Sequence, residues 1–171
     1  MKVIVVLAMH GVPPSDFPRQ ETAELFGLHM RLEQGDVPEP QRAAMSQRFA
    51  DLDAKMRAWP RSEQNDRFYV ASQRLAQELE RATGYEVIVG FNEFCAPKIE
   101  QALDEAVGRG AARVVVITPM MTPGGEHSDE DIPAQIEAAR QRHTDVEFAY
   151  AWPYEMSDVA NFLSTQVKRY V

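Results

Sequence analysis

The chain has 171 residues, 44% of them apolar, which is enough for one globular core and too few for two domains of ordinary size. Acidic side chains outnumber basic ones 26 to 18 and no Lys/Arg block occurs, so the field that draws in nucleic acid or an anionic membrane surface is missing. No apolar run approaches the roughly 18 residues that span a bilayer, and the single cysteine, Cys95, can form no internal disulfide, so a reducing, cytoplasmic setting is the expectation.

The first apolar run, 3–8, is rich in β-branched residues and unbroken, as suits a strand buried on both faces of a parallel sheet. It is short and ends in His10-Gly11 with no small-residue cleavage site, so it reads as a strand and not as a signal segment. From Pro13 to Ala82 the period turns helical, in segments near 19–33, 38–59 and 66–82, separated by breakers at Gly35, Pro38, Pro40 and Pro60. The last of these is the crossover helix, with Leu75, Ala76, Leu79 and Ala82 as its apolar stripe and Gly84 as its stop. A strand at 86–91, a helix at 97–107 and a strand at 114–118 follow, then a Gly/Pro loop at 119–125. A helix at 129–143, with Ser128 and Asp131 spaced as a capping box, a strand at 147–150 and a helix at 157–170 complete the series.

Four strands joined by right-handed helical crossovers predict an open, doubly wound α/β sheet with strand 1 central and the order reversing beside it. The crevice of such a sheet lies at the carboxyl ends of its strands. His10 follows strand 1 at once, Glu93 follows strand 2, and His127 lies on the loop after strand 3. Strands about 4.8 Å apart bring such loops within side-chain reach of one another, so the three residues are expected to converge on one rim. Taken singly, each histidine is better explained as a cap or a carbonyl partner; the convergence is what points to a site.

These same residues resemble a family. The run Val114 to Met121, followed by Gly124-Gly125-Glu126-His127-Ser128-Asp129-Glu130-Asp131-Ile132-Pro133, is similar to the signature of class II tetrapyrrole chelatases of the sirohydrochlorin cobaltochelatase (CbiX) type. His10-Gly11 resembles that family's opening His-Gly, and Glu93-Phe94-Cys95-Ala96-Pro97 its Glu and Pro-led helix. The resemblance spans roughly 1–11 and 85–155. It implies a three-layer sandwich around a four-stranded parallel sheet. The implied activity is ATP-independent insertion of Co(II) or Fe(II), with Ni(II) as a further candidate, into a sirohydrochlorin-like tetrapyrrole in cobalamin or siroheme and heme biosynthesis. No cofactor is permanently bound. His10, His127 and Glu93 are then both the catalytic and the metal-handling residues, and a homodimer is expected because the family is built from paired halves. The rival is a carrier on the same fold that binds metal or ring without turnover.

The chain departs from the family in an additional helical segment, about 12–61, expected to wall or cover the open sheet edge. The remaining residues divide between structural and functional readings. Glu126, Asp129, Glu130 and Asp131 suit a first helical turn, and His143 a helix C-terminus. His29 either flanks a buried stripe or reaches the pocket. Met9, Met120, Met121, Trp152 and Tyr154 either wall a macrocycle or fill the core. Cys95 is a thiol ligand or a buried small side chain. A ring carrying eight carboxylates would need clamps, for which Arg19, Arg31, Arg42 and Arg48 are the candidates.

Overall fold

Strand β1, Val3–Met9, is buried from Ile4 onward, as befits a strand covered on both sides. The computed structural model describes residues 1–35 and 37–171. It pairs β1 in parallel with β2 (Glu86–Phe91) and β3 (Arg113–Ile117), and β3 with β4 (Glu147–Tyr150), in the order β2-β1-β3-β4. Strand 1 is therefore interior, with the order reversing beside it as predicted. Helices α4 (Ile99–Gly108) and α5 (Ile132–Arg142) cover one face over Ile4, Val6, Val114 and Val116. On the other face α3 (Arg67–Thr83) packs near Leu7, Met9, Val89 and Phe91. Helix α6 (Met156–Val167) follows β4. Among the described residues no helix is long and apolar enough to cross a membrane.

Two local expectations fail. The buried face of α3 runs through Ser72 and Ala76, with Tyr69 and Leu79 packed beside them, while Leu75 is 42% exposed and Ala82 is exposed. The helix is rotated toward the side on which Tyr69 stacks with Phe91, their centroids 5.4 Å apart. Nor do Ser128 and Asp131 form a capping box. Residues His127–Asp131 make one wide π-type turn leading into α5, and the Ser128 hydroxyl bonds back to the Gly125 carbonyl at 3.1 Å. The Asp131 carboxylate is engaged by His127 and so is not available as a cap.

The additional segment contains helices α1 (Arg19–Glu33) and α2 (Gln41–Arg57), which enclose a small core of Phe17, Leu25, Leu52 and Met56. Two arginines bind this hairpin to the loop after β2. Arg57 pairs with Asp53 at 2.8 Å and donates to the carbonyls of Cys95 (2.7 Å) and Asn92 (3.0 Å). Arg61 pairs with the fully buried Asp66 carboxylate at 2.5 Å and donates to the carbonyls of Val12, Met56 and Phe94. Asp66 in turn caps α3 by accepting from the Tyr69 amide.

Parallel pairing continues past the formal ends of β1 and β2. The Asn92 amide donates to the Met9 carbonyl and the Glu93 amide to the His10 carbonyl, each at 2.8 Å. This close approach requires Gly11, at φ +104°, where an added Cβ would stand 1.9 Å from the Glu93 carbonyl oxygen.

Gly11→Ala is expected to displace the Glu93 loop and to cost about 1–3 kcal/mol from backbone strain, before the clash is counted; a lowered denaturant midpoint at unchanged slope measures it. Arg61→Met strands a buried carboxylate and is expected to cost about 3–5 kcal/mol. Adding Asp66→Asn to Arg61→Met should restore part of that loss, and equal stability of the single and double variants would show that the charge pair is not its source.

Candidate metal-handling site

The continued ladder sets His10 and Glu93 side by side at the rim, and the loop after β3 brings His127 over them. One nitrogen from each imidazole and one Glu93 oxygen all lie within 4.8 Å of one another. The rings meet edge to face, with centroids 4.7 Å apart and planes at 86°. Glu93 Oε2 stands 3.5 Å from His10 Nδ1 and 3.7 Å from His127 Nε2, longer than ordinary hydrogen bonds. The expected convergence of His10, Glu93 and His127 is present.

The hydrogen bonds assign each ring a tautomer. His10 Nδ1 lies 2.6 Å from the Gly11 carbonyl oxygen, which can only accept, so the proton sits on Nδ1 and Nε2 keeps its lone pair. His127 Nδ1 lies 2.6 Å from Asp131 Oδ2. Burial opposes ionisation of Asp131, but hydrogen bonds from His127 and Asn92 outweigh it and hold its carboxyl below the ordinary value. Asn92 Nδ2 also stands 2.7 Å from His127 Nδ1, but the carboxylate only accepts and is the stronger partner, so Nδ1 donates to Asp131 and Nε2 faces Glu93. The Asn92 amide nitrogen donates to Asp131 Oδ2 at 2.9 Å, and Gln135 fixes that amide by donating to Asn92 Oδ1 at 2.8 Å. A carboxylate behind a histidine in this manner locks its orientation.

Beside the triad opens a cleft of about 410 Å³. Leu25, Phe26, His29, Phe49 and Arg57 of the helical hairpin form one wall, and Glu93, Phe94, Lys98, Asp131 and Gln135 the other. The added segment therefore walls the functional rim rather than the sheet edge. His29 belongs to this wall; it stacks on Phe49 and pairs with Glu33 at 3.2 Å.

Other candidates resolve differently. Arg19, Arg31, Arg42 and Arg48 do not line the cleft, and Arg48 is spent on Glu24. The cations at the cleft are Arg57 and Lys98, which share Asp53 at 2.8 and 3.2 Å. Cys95 is fully buried, and burial pushes its thiol up, away from the thiolate a metal needs. His143 pairs with Asp104 at 2.7 Å, away from the site. Met9 is core. Trp152 and Tyr154 donate to the carbonyls of Met120 and Thr118 and so anchor the chain after β4. Asp131, assigned to helix electrostatics from sequence, is part of the site, as are Asn92 and Gln135. The i, i+4 spacing of His127 and Asp131 was the available signal for the first of these.

A model of the CbiX family matches residues 62–169, which include Glu93, His127 and Asp131 but not His10. A sirohydrochlorin cobaltochelatase of Priestia megaterium is 40% identical over 70 residues, 41% of this chain and 22% of that protein. One from Methanopyrus kandleri is 31% identical over 65 residues, 37% of this chain and 45% of that protein, so the match spans less than half of either relative. A solved cobalamin (vitamin B12) biosynthesis CbiX protein from Marinobacter aquaeolei VT8 shares the fold at a TM-score of 0.52 and 15% identity, covering 98% of both chains. With more than half of its residues matched, this chain belongs to the CbiX family.

Proposed function

We propose that this protein is an ATP-independent class II chelatase, a lyase inserting Co(II) or Fe(II) into a sirohydrochlorin-like tetrapyrrole in cobalamin or siroheme and heme biosynthesis. Ni(II) is a further candidate ion. The observation that carries the reading is the triad itself: two imidazoles and one carboxylate, one candidate ligand atom of each within 4.8 Å of the others, beside an open cleft. Imidazole and carboxylate suit late first-row divalent ions, and a ligand set this small leaves coordination positions through which ring nitrogens can take the ion over.

Insertion exchanges two pyrrole N–H protons for one divalent ion, so the site must release a metal and accept protons. The Asp131–His127 pair supplies the proton step. His127 Nε2 takes the two protons one after the other, each leaving an imidazolium whose charge Asp131 stabilises from behind and each passing to bulk water before the next is taken. His10 and Glu93 hold the ion at the rim until the ring nitrogens displace them. The apolar wall of Phe26, Phe49 and Phe94 can lie against the macrocycle's face. Arg57 and Lys98, two cations against the one carboxylate of Asp53, retain one positive charge for a peripheral carboxylate of the ring.

The chain is read as one domain acting in the cytoplasm as a homodimer. Two copies would supply the paired halves of the family, and α6, with no buried residue, supports an assembly larger than one chain.

An anaerobic assay with Co(II), Fe(II) or Ni(II) against sirohydrochlorin tests the reading by multiple turnover. His10→Ala and His127→Ala should each lower kcat by about 10²–10⁴-fold, and Asp131→Asn by about 10–100-fold with the triad intact. Lys98→Gln should raise KM several-fold at nearly constant kcat. Tight stoichiometric binding of metal or ring without turnover would identify a carrier instead.

A further inference from the structure

The helical hairpin and the start of α4 meet in a crest of three charged side chains. Asp53 of α2 receives Arg57 Nε on its two oxygens at 2.9 and 2.8 Å, and it lies 3.2 Å from Nζ of Lys98, which arrives from the loop before α4. These three residues and Phe49 border the cleft beside the triad. The same four border a second hollow of about 380 Å³ on their other side. Ala50, Ala54, Ala58 and Ala96 line that hollow, so small side chains keep it open, and Gln101 completes it.

The two cations are held differently. The Arg57 side chain is 12% exposed, and besides Asp53 it donates to the Cys95 and Asn92 carbonyls, so it is fixed as part of the tie between the hairpin and the loop after β2. The Lys98 side chain is 47% exposed, and Asp53 is its one anionic partner among the described residues. An ammonium is a point charge on a flexible stem, and an ion pair with one such exposed member is weak. Opening it strands no charge in the crest, because Asp53 keeps both of its bonds from Arg57.

For a ring that carries carboxylates this arrangement means competition. In the free chain the mobile cation of the cleft is already engaged, and the group that engages it is itself a carboxylate at the cleft border. A ring carboxylate that reaches the crest offers Lys98 the same chemistry as Asp53 does. Gln101, whose Oε1 accepts the Lys98 amide at 2.9 Å, leaves its Nε2 as a second, neutral donor in the hollow beyond.

We propose that Asp53 is an internal stand-in for a peripheral carboxylate of the tetrapyrrole. On binding, one acidic arm of the ring crosses the crest into the second hollow and takes Lys98 from Asp53, while Asp53 stays paired with Arg57. The exchange moves one ammonium from one carboxylate to another and leaves no charge uncompensated. It makes Asp53 a determinant of specificity: a ring edge with a carboxylate arm makes the exchange, and an edge without one leaves the pair closed and the hollow unused. The inference rests on the tetrapyrrole reading and is independent of the metal-insertion step, because it concerns the ring before any metal is transferred.

The test is equilibrium binding to the full chain, followed by ring absorbance, of metal-free sirohydrochlorin and of the same ring with its peripheral carboxylates methyl-esterified. Asp53→Asn should tighten binding of the free acid about two- to fivefold, the effect of releasing one exposed ion pair, and Asp53→Ser, with a shorter side chain, should do the same. Lys98→Gln should weaken it by a similar factor, and in the Lys98→Gln background Asp53→Asn should bring no gain. None of these substitutions should move the affinity for the esterified ring. A gain that is absent, that is equal with and without Lys98, or that is equal for acid and ester would overturn the proposal. Failure of the unsubstituted chain to bind sirohydrochlorin at all would overturn the tetrapyrrole reading and the proposal with it.

Discussion

The rim depends on the backbone pairing that runs on past β1 and β2. Two amide-to-carbonyl bonds of 2.8 Å, from Asn92 to Met9 and from Glu93 to His10, hold the loops after these strands as though they were still in the sheet. The consequence is positional. His10 and Glu93 are fixed relative to one another by main-chain geometry and not by their own flexible side chains, which is how a few tenths of an ångström of precision are obtained at a metal-handling site. The requirement falls on Gly11, whose missing side chain lets the Glu93 carbonyl approach. The helical hairpin then bears on the same loop through Arg57 and Arg61, so the loop is held from the sheet side and from the outer side together.

His127 is positioned by another means. It arrives on a wide turn at the end of a glycine-containing loop, where no ladder can hold it, and its orientation comes from the chain of Gln135, Asn92 and Asp131 behind it. The two histidines thus reach the same opening with the same tautomer, proton on Nδ1 and lone pair on Nε2, by different supports: a backbone carbonyl for His10 and a carboxylate for His127. Only the second support can stabilise a positive ring. That asymmetry is why the proposed chemistry gives proton acceptance to His127 and metal holding to His10 and Glu93.

Much of this was legible in the sequence, because continuous β-branched runs and regularly spaced breakers fix the order of strands and helices, and the strand ends fix where loops converge. The strand order and the His10, Glu93, His127 cluster follow from that logic. What escaped depends on side-chain competition that a linear pattern does not encode. Asp131 has the spacing of a capping acid and also the spacing of an i, i+4 partner for His127, and only the turn geometry decides between them. Of the expected α3 stripe, Ala76 and Leu79 face the core, whereas the stacking of Tyr69 on Phe91 turns the helix so that Ser72 is buried and Leu75 and Ala82 are exposed. The four arginines chosen as clamps were judged by charge alone, and a surface arginine such as Arg48 is readily neutralised by its nearest carboxylate.

The charge of the chain conflicts with that of its proposed substrate, since a net charge of −8 repels a ring bearing many carboxylates. Range removes most of the conflict. At physiological ionic strength exposed charges are screened beyond about 8 Å, so the distant acids act on encounter and scarcely on the bound ring. Within that radius the cleft is more balanced than the chain. Asp131 is matched by the proton donors His127 and Asn92, and Asp53 is outnumbered by Arg57 and Lys98. Glu93 remains, at the point where a divalent ion is to sit. In the proposed reaction its charge would attract the metal before the ring arrives and would be offset once the metal is bound. The acidity that makes the free chain a poor partner for a polycarboxylate therefore favours an order of events in which metal binding precedes the macrocycle.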